Sequence, residues 1–148
     1  MRRLVIAVLS LALATTSARA EGIGLGFFFG DPTGLDLKID LQRRSALDIV
    51  IGLANFRERG AKYAHLTYLV TPIVARGRSV NVPLRLGIGG AIYGTEDFIN
   101  AGVRVPFEVA LAFRTTPLEI YGEIAMLLTL TDDPRFDLQG GVGLRFYF

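Results

Sequence analysis

The sequence predicts an all-β protein, an eight-stranded antiparallel up-and-down transmembrane barrel. Three observations support this prediction: a final segment with one apolar face, eight alternating segments in all, and an apolar set made almost entirely of Leu, Ile, Val and Phe. In residues 136–148, one strand face would carry Phe136, Leu138, Gly140, Val142, Leu144, Phe146 and Phe148. The other face would carry Asp137, Gln139, Gly141, Gly143, Arg145 and Tyr147. Such a segment, ending on an aromatic residue, is typical of a strand between lipid and a polar lumen.

Residues 1–20 are predicted to be a cleaved secretory signal peptide, followed by one barrel domain over residues 21–148. Arg2 and Arg3 form a positive start, residues 4–14 are apolar, and Ala18-Arg19-Ala20 fits a small-x-small cleavage site. The apolar run is too short for a stable transmembrane helix, although an uncleaved anchor is the alternative. We therefore expect export and a location in the outer membrane of a Gram-negative bacterium.

Composition argues against several other classes of protein. Removing Arg2, Arg3 and Arg19 with the signal peptide reduces 16 basic residues to 13, against 14 acidic ones, so no nucleic-acid partner is expected. The chain has no cysteine and therefore no disulfide. A closed barrel in lipid has another source of stability, because all of its backbone groups are paired.

Eight strands are predicted, separated by segments rich in Gly, Pro, Asp, Ser and Arg. Their predicted bounds are 22–30, 34–42, 45–54, 61–73, 80–93, 99–114, 117–130 and 136–148. The apolar positions are the odd residues 23–29, 35–41 and 47–53 in strands one to three, and the even residues 66–70 and 82–92 in strands four and five. In the last three strands, the apolar positions are the odd residues 103–113, the even residues 118–130 and the even residues 136–148. A few of these positions are occupied by glycine. The fourth strand alternates least clearly.

Alternation alone does not show which face is inside, since a soluble lipocalin-like barrel would also alternate. The apolar face lacks the mixture of sizes that an interdigitated core needs. The other face is rich in Gly and Ala, which suits a crowded lumen. The chain also has only two lysines, Lys38 and Lys62, whereas soluble surfaces usually carry many. These features favour an apolar exterior facing lipid.

The polar face is predicted to carry a lumen charge network. Its members are Lys38, Asp40, Asp48, Arg85, Arg104, Glu108, Glu119, Glu123, Asp137 and Arg145. Hairpin geometry places Glu108 opposite both Arg85 and Glu123, and places Arg145 opposite Tyr121, diagonal to Glu119 and Glu123. Two interpretations are open: a selectivity filter or gate, or a plug that satisfies buried polar groups. Eight strands leave little free bore, which favours the plug.

Catalysis is not expected, and neither is a cofactor or a metal. Ser45 and Ser79 fall in turns at one end of the barrel, and His65, the only histidine, lies near the far end of the fourth strand. Nothing in the pattern brings a serine to that histidine, as a nucleophile and its base require. His65 is therefore interpreted as a lumen polar residue. One histidine without cysteine makes a poor transition-metal site.

Four segments resemble a family of small bacterial outer-membrane barrels without an assigned function, and more broadly the eight-stranded OmpA-type transmembrane domain. They are residues 30–34 (GDPTG) with Lys38 after them, 102–106 (GVRVP), 117–125 (PLEIYGEIA) and 141–148 (GVGLRFYF). The resemblance covers nearly all of the chain after residue 20. It implies an outer-membrane barrel and supplies no catalytic residues.

The expected role is structural or membrane-organising. The alternatives are a narrow, low-conductance, porin-like channel and a soluble periplasmic lipocalin-like ligand-binding barrel. Outer-membrane lipids and, during insertion, the barrel-assembly machinery are the expected partners of a monomer. The turns on the periplasmic side carry Arg43, Arg44, Arg76, Arg78 and Arg114, which fits either simple solvation or docking of a periplasmic partner.

Overall fold

The computed structural model describes residues 22–54, 62–131 and 133–148. These residues form eight strands: β1 (Ile23–Asp31), β2 (Thr33–Gln42), β3 (Ser45–Ala54), β4 (Lys62–Arg76), β5 (Val80–Gly94), β6 (Ile99–Phe113), β7 (Leu118–Thr129) and β8 (Arg135–Tyr147). Each strand pairs antiparallel with the next, and β8 pairs with β1 to close the barrel. The predicted fold class, an all-β eight-stranded up-and-down barrel, is confirmed. The predicted signal peptide and the turn at residues 57–60 lie outside the described residues.

The fourth strand differs most from its predicted bounds. β4 continues to Arg76, three residues further than expected, and its pairing with β5 contains an irregularity between Val70 and Ile73. A bulge inserts an extra residue and exchanges the two faces of the strand beyond it. The exchange explains why alternation was weak in this segment.

The strands are strongly staggered around the barrel. Stepping from each residue to its partner on the next strand, a path leads from Gly24 through Lys38, Asp48, Thr67, Gly89, Arg104 and Leu127 to Asp137. The direct pairing of β1 with β8 instead places Tyr147, ten residues beyond Asp137, opposite Gly24. With about 3.3 Å per residue and about 4.8 Å between strands, this stagger tilts the strands by about 40°.

The two faces of the sheet have opposite chemistry. Most large apolar side chains point outward and are exposed, as in Phe29, Ile88 and Ile124, each 58–60% accessible. Charged side chains near the middle of the strands point inward and are buried, and Arg104, Glu108 and Arg145 have no accessible surface. This is the orientation predicted from the sequence. In the described residues, no helix has the length and apolar character needed to cross a membrane.

One predicted pairing was wrong by two residues. Arg145 lies opposite Glu119, and Tyr121 lies opposite Gly143. The last described pair of this hairpin is Thr129 with Arg135. β7 therefore ends one residue earlier than predicted and β8 begins one residue earlier. Because the slip is an even number of residues, both faces keep their predicted orientation.

Candidate functional site: the lumen network

The barrel interior holds an ionic network that we call the lumen network. Its buried charged members are Asp36, Lys38, Asp48, Arg85, Arg104, Glu108, Glu119, Glu123 and Arg145. They come from β2, β3, β5, β6, β7 and β8, and each occupies an inward position set by the two-residue period of its strand. Buried charges require oppositely charged or hydrogen-bonding partners, and the contacts below supply them.

Arg145 is the centre of the lumen network. Its Nε donates to Asp36 Oδ2 at 2.7 Å and its Nη2 donates to Asp48 Oδ1 at 2.7 Å. Its Nη1 donates to Glu108 Oε2 and to Glu119 Oε1, each at 3.1 Å. The guanidinium carbon also lies 3.6 Å from the ring centroid of Tyr121. One side chain from β8 thus joins carboxylates on β2, β3, β6 and β7, which the planar five-donor guanidinium is well suited to do.

Arg85 extends the network towards the end of the barrel where β1 begins and β8 ends, which we call the terminal end. Its Nη1 and Nη2 donate to the two carboxylate oxygens of Glu119 at 2.9 and 2.7 Å, and it also pairs with Glu108. The Tyr147 hydroxyl donates to Glu119 Oε1 at 3.0 Å. The Lys38 ammonium pairs with Asp40 and lies 5.2 Å from the Tyr147 ring centroid. Every cation here has a carboxylate partner.

A second layer lies on the other side of Arg145. Arg104 pairs with Glu123, and its Nε donates to Gln139 Oε1 at 3.4 Å. The Tyr63 hydroxyl donates to the same Gln139 oxygen at 2.9 Å. These contacts connect β4, β6, β7 and β8, so the charged layers together involve most of the barrel wall.

His65 is a buried lumen residue, as interpreted from the sequence. Its Nε2 lies 3.3 Å from Asp48 Oδ2, and its ring packs edge-on against Tyr63. Asp48 is itself held by Arg145. Among the described residues, no group of three or more His, Cys, Asp or Glu side chains is arranged to hold a metal ion.

The structure places the predicted network residues in three different settings. Arg85, Arg104, Glu108, Glu119, Glu123, Arg145 and Asp48 lie together in the centre, with Glu108 opposite Arg85 and Glu123 as predicted. Lys38 and Asp40 form a pair at the terminal end, where Asp40 is 30% exposed. Asp137 pairs with Arg135, a half-exposed residue, at the start of β8.

The predicted set of network residues omits two central members, Asp36 and Tyr121, although Tyr121 was predicted to face the lumen beside Arg145. The Tyr121 hydroxyl donates to Asp36, and both groups contact Arg145. The inward position of each residue follows from the alternation. Their contact does not, because it crosses the lumen from β7 to β2 and hairpin geometry relates only neighbouring strands.

The network fills the middle of the bore. Phe28, Val50, Ala110 and Tyr121 form a buried apolar cluster beside the charged groups. A recess of about 200 Å³ lies at the terminal end, with Lys38, Asp40, Arg85 and Asn81 in its lining. This arrangement can hold the wall together and close the lumen. Within the described ranges, the His65 ring is hydrogen-bonded to Asp48 and to no serine.

Comparisons of the chain with models of protein families, with curated proteins and with solved structures found no match. The resemblance to OmpA-type barrels therefore stays a prediction. Function has to be inferred from the geometry of this chain.

Proposed function

We propose that this protein is an integral outer-membrane β-barrel of a Gram-negative bacterium, with a structural or membrane-organising role and a lumen plugged by ionic contacts. The single observation that supports this most is the inverted distribution of side chains: large apolar residues cover the outside while arginines and carboxylates fill the centre. Water-soluble monomers rarely expose contiguous apolar patches larger than a few hundred Å².

The apolar exterior matches the chemistry of a bilayer. Outward residues on β6 include Val105, Phe107 and Val109, and those on β7 include Ile124 and Met126, all more than a third exposed. At a tilt of about 40°, roughly ten residues of a strand cross an apolar band about 25 Å thick. The eight strands have 9–15 residues each. A closed barrel leaves no open sheet edge in hydrocarbon, which is the condition for a β protein to span it.

The contacts of the lumen network favour the hypothesis that the bore is closed by a plug of side chains. Arg145 is fully buried and holds four carboxylates, so a solute could pass only if these contacts opened. A soluble ligand-binding barrel would need the reverse arrangement, with an apolar interior and a polar exterior. We therefore favour the plugged membrane barrel over the lipocalin-like alternative and over a channel.

Cell fractionation tests the location. We expect the protein to sediment with outer membranes and to resist extraction by carbonate. Folded and boiled samples should differ in gel mobility, as membrane barrels do. Recovery in the soluble periplasmic fraction would contradict the proposal.

Recording in a planar bilayer tests the plug. The purified protein should give no reproducible conductance steps, because the charged contacts at Arg145 block the bore. Steps that recur in independent preparations, and that change in size in an Arg145→Ala variant, would instead establish a narrow channel.

A further inference from the structure

The terminal end of β4 has an unpaired edge, residues 72–76, which we call the β4 edge. Pairing of β3 with β4 stops at Ser45 and Val70, and the Thr71 N–H donates to the Arg44 carbonyl at 2.8 Å. Beyond that point β5 is the one strand of the described ranges that lies along β4, and the Arg44 Nη1 donates to the Pro72 carbonyl at 3.5 Å. Ile73 and Val74 are 56% and 40% exposed. An unpaired strand edge is a template for pairing with another chain.

The β4 edge presents its backbone groups outward at known positions. In the adjoining turn, the Gly77 N–H donates to the Val80 carbonyl at 2.9 Å. Hydrogen-bonded pairs alternate along an antiparallel ladder, so Ala75 with Val82 and Ile73 with Leu84 also bond across it. The N–H and C=O groups of Val74 and Arg76 therefore point away from β5, towards the open side.

Recesses lie on both faces of the sheet beside this edge. The outer one, of about 290 Å³, is lined in part by Arg44, Tyr68 and Pro72. The inner one is the recess of about 200 Å³ at the terminal end, and its lining includes Val74 and Arg43. A strand added along the edge directs alternate side chains to opposite faces. Its side chains would thus enter both recesses.

The charge around the edge is positive. Arg43, Arg44, Arg76, Arg78 and Arg114 are all exposed at this end. The turns at residues 43–44, 77–79 and 114–117 contain no acidic residue. At the opposite end, the turn after β5 carries Glu96 and Asp97. This asymmetry favours an acidic partner at the terminal end.

We propose that the β4 edge binds an extended acidic segment of a periplasmic protein by β-strand addition. Main-chain bonds to Val74 and Arg76 give affinity, the two recesses receive alternate side chains, and the arginines select acidic sequences. Beyond Thr71, which bonds to Arg44 in the turn after β2, the edge continues along β4 to Arg76 at the terminal end. That the partner is periplasmic rests on the proposed function, whereas the pairing itself does not.

The test measures binding of a synthetic peptide to the folded protein in detergent micelles. The probe is a short fluorescent peptide in which glutamate alternates with valine, and its control has lysine in place of glutamate. We expect the acidic peptide to bind at least tenfold more tightly. Equal binding of both peptides would overturn the charge selection. Because the measurement needs no membrane fraction, its failure is distinct from failure of the proposed location.

Matched variants test the pairing. Val74→Pro removes an outward N–H and keeps the bonds to β5, whereas Val74→Ala keeps the N–H. We expect Val74→Pro to weaken peptide binding at least tenfold and Val74→Ala to weaken it less than threefold. Equal affinity of the two variants would overturn the proposal. If Val74→Pro does not fold, amide exchange decides: the peptide should slow exchange at Val74 and Arg76 in the unaltered protein, and unchanged rates would overturn the pairing.

Sedimentation of the protein alone provides a further outcome. A dimer that Val74→Pro dissociates would mean that a second copy occupies the edge, which would overturn the acidic partner. A monomer at all concentrations supports an edge that is free for another protein.

Discussion

At the scale of single residues, Arg145 is the side chain of the lumen network that pairs with the most carboxylates. Replacing it with Ala removes the cation shared by Asp36, Asp48, Glu108 and Glu119. Breaking a buried ion pair by removing one partner costs about 3–5 kcal/mol, because the remaining charges are left uncompensated. We expect Arg145→Ala to lower the free energy of unfolding in detergent by that amount, and therefore to lower the urea midpoint of unfolding.

The matched control for Arg145 is Arg135→Ala. Arg135 pairs with Asp137 and is 50% exposed, so its loss should cost about 0–1 kcal/mol. Equal midpoints for the two variants would show that the lumen network contributes no more than a surface pair.

Two glycines on neighbouring strands make a second residue-scale prediction. A Cβ at Gly143, which faces the lumen, would collide with the Tyr121 ring that Arg145 stacks on. A Cβ at Gly122, which faces outward, would meet no atom within 4 Å. We expect Gly143→Ala to destabilise the barrel by about 1–3 kcal/mol through overpacking. Gly122→Ala should stay within about 0.5 kcal/mol of the parent.

The measurement for the glycine pair is again the unfolding midpoint in detergent. A tolerated Gly143→Ala would mean that the Tyr121 ring can move away from Gly143 without loss. A costly Gly122→Ala would mean that something packs against the outside of β7.

At the scale of elements, the sequence predicted most of the barrel wall. Each strand has one apolar face, so the two-residue period set its orientation, and short polar turns set its ends. The misses have local causes. The bulge after Val70 exchanges the two faces of β4, so the end of that strand was predicted three residues too early. The end of β7 and the start of β8 were each predicted one residue too late, which made Tyr121 rather than Glu119 the predicted partner of Arg145.

The interior contacts were predicted only where they follow a hairpin. Arg85, Glu108 and Glu123 lie on consecutive strands, and their pairing was obtained by counting from the turns. Arg145 with Asp36 or Asp48 joins β8 to β2 and β3 across the lumen. Such contacts depend on the stagger and diameter of the closed barrel, which no single hairpin encodes.

Closure of the wall gives an element-scale prediction. Leu25 on β1 lies opposite Phe146 on β8, and the chain has no cysteine of its own. Directly paired antiparallel residues have Cα atoms about 4.5–5.5 Å apart, within the range of a disulfide. We expect Leu25→Cys with Phe146→Cys to cross-link on mild oxidation and to migrate faster in a non-reducing gel after boiling.

The control for closure is Leu25→Cys with Leu86→Cys. Leu86 is also an exposed outward residue, but it lies on β5, across the barrel from β1. This pair should not cross-link within one chain. Cross-linking of the control, or none in the β1–β8 pair when both thiols react with a maleimide, would contradict the closed order of strands.

At the scale of the whole molecule, the exterior and the interior depend on each other. The tilted wall turns alternate residues outward into one apolar surface, and the same alternation brings the charged residues into the bore. In water, so large an exposed apolar surface would favour aggregation. In lipid it is the favourable face, and the lumen network then pairs the charged side chains that the wall encloses, while Asp36 Oδ1, His65 Nδ1 and Thr67 Oγ1 are buried without a hydrogen-bond partner among the described residues.

Lysine substitutions on the exterior test whether lipid or water surrounds the barrel. Ile88, 59% exposed, lies near the middle of β5, and Ile99, 73% exposed, lies at the start of β6. In a water-soluble protein either exposed isoleucine could become lysine at a cost within about 0.5 kcal/mol. At a bilayer midplane the cost is about 2–4 kcal/mol, and it falls to about 0–1 kcal/mol near the interface.

The measurement is folding into lipid vesicles followed by urea titration. We expect Ile88→Lys to be clearly destabilised and Ile99→Lys to be nearly unchanged. Small and equal effects at both positions would mean that the apolar exterior does not meet acyl chains.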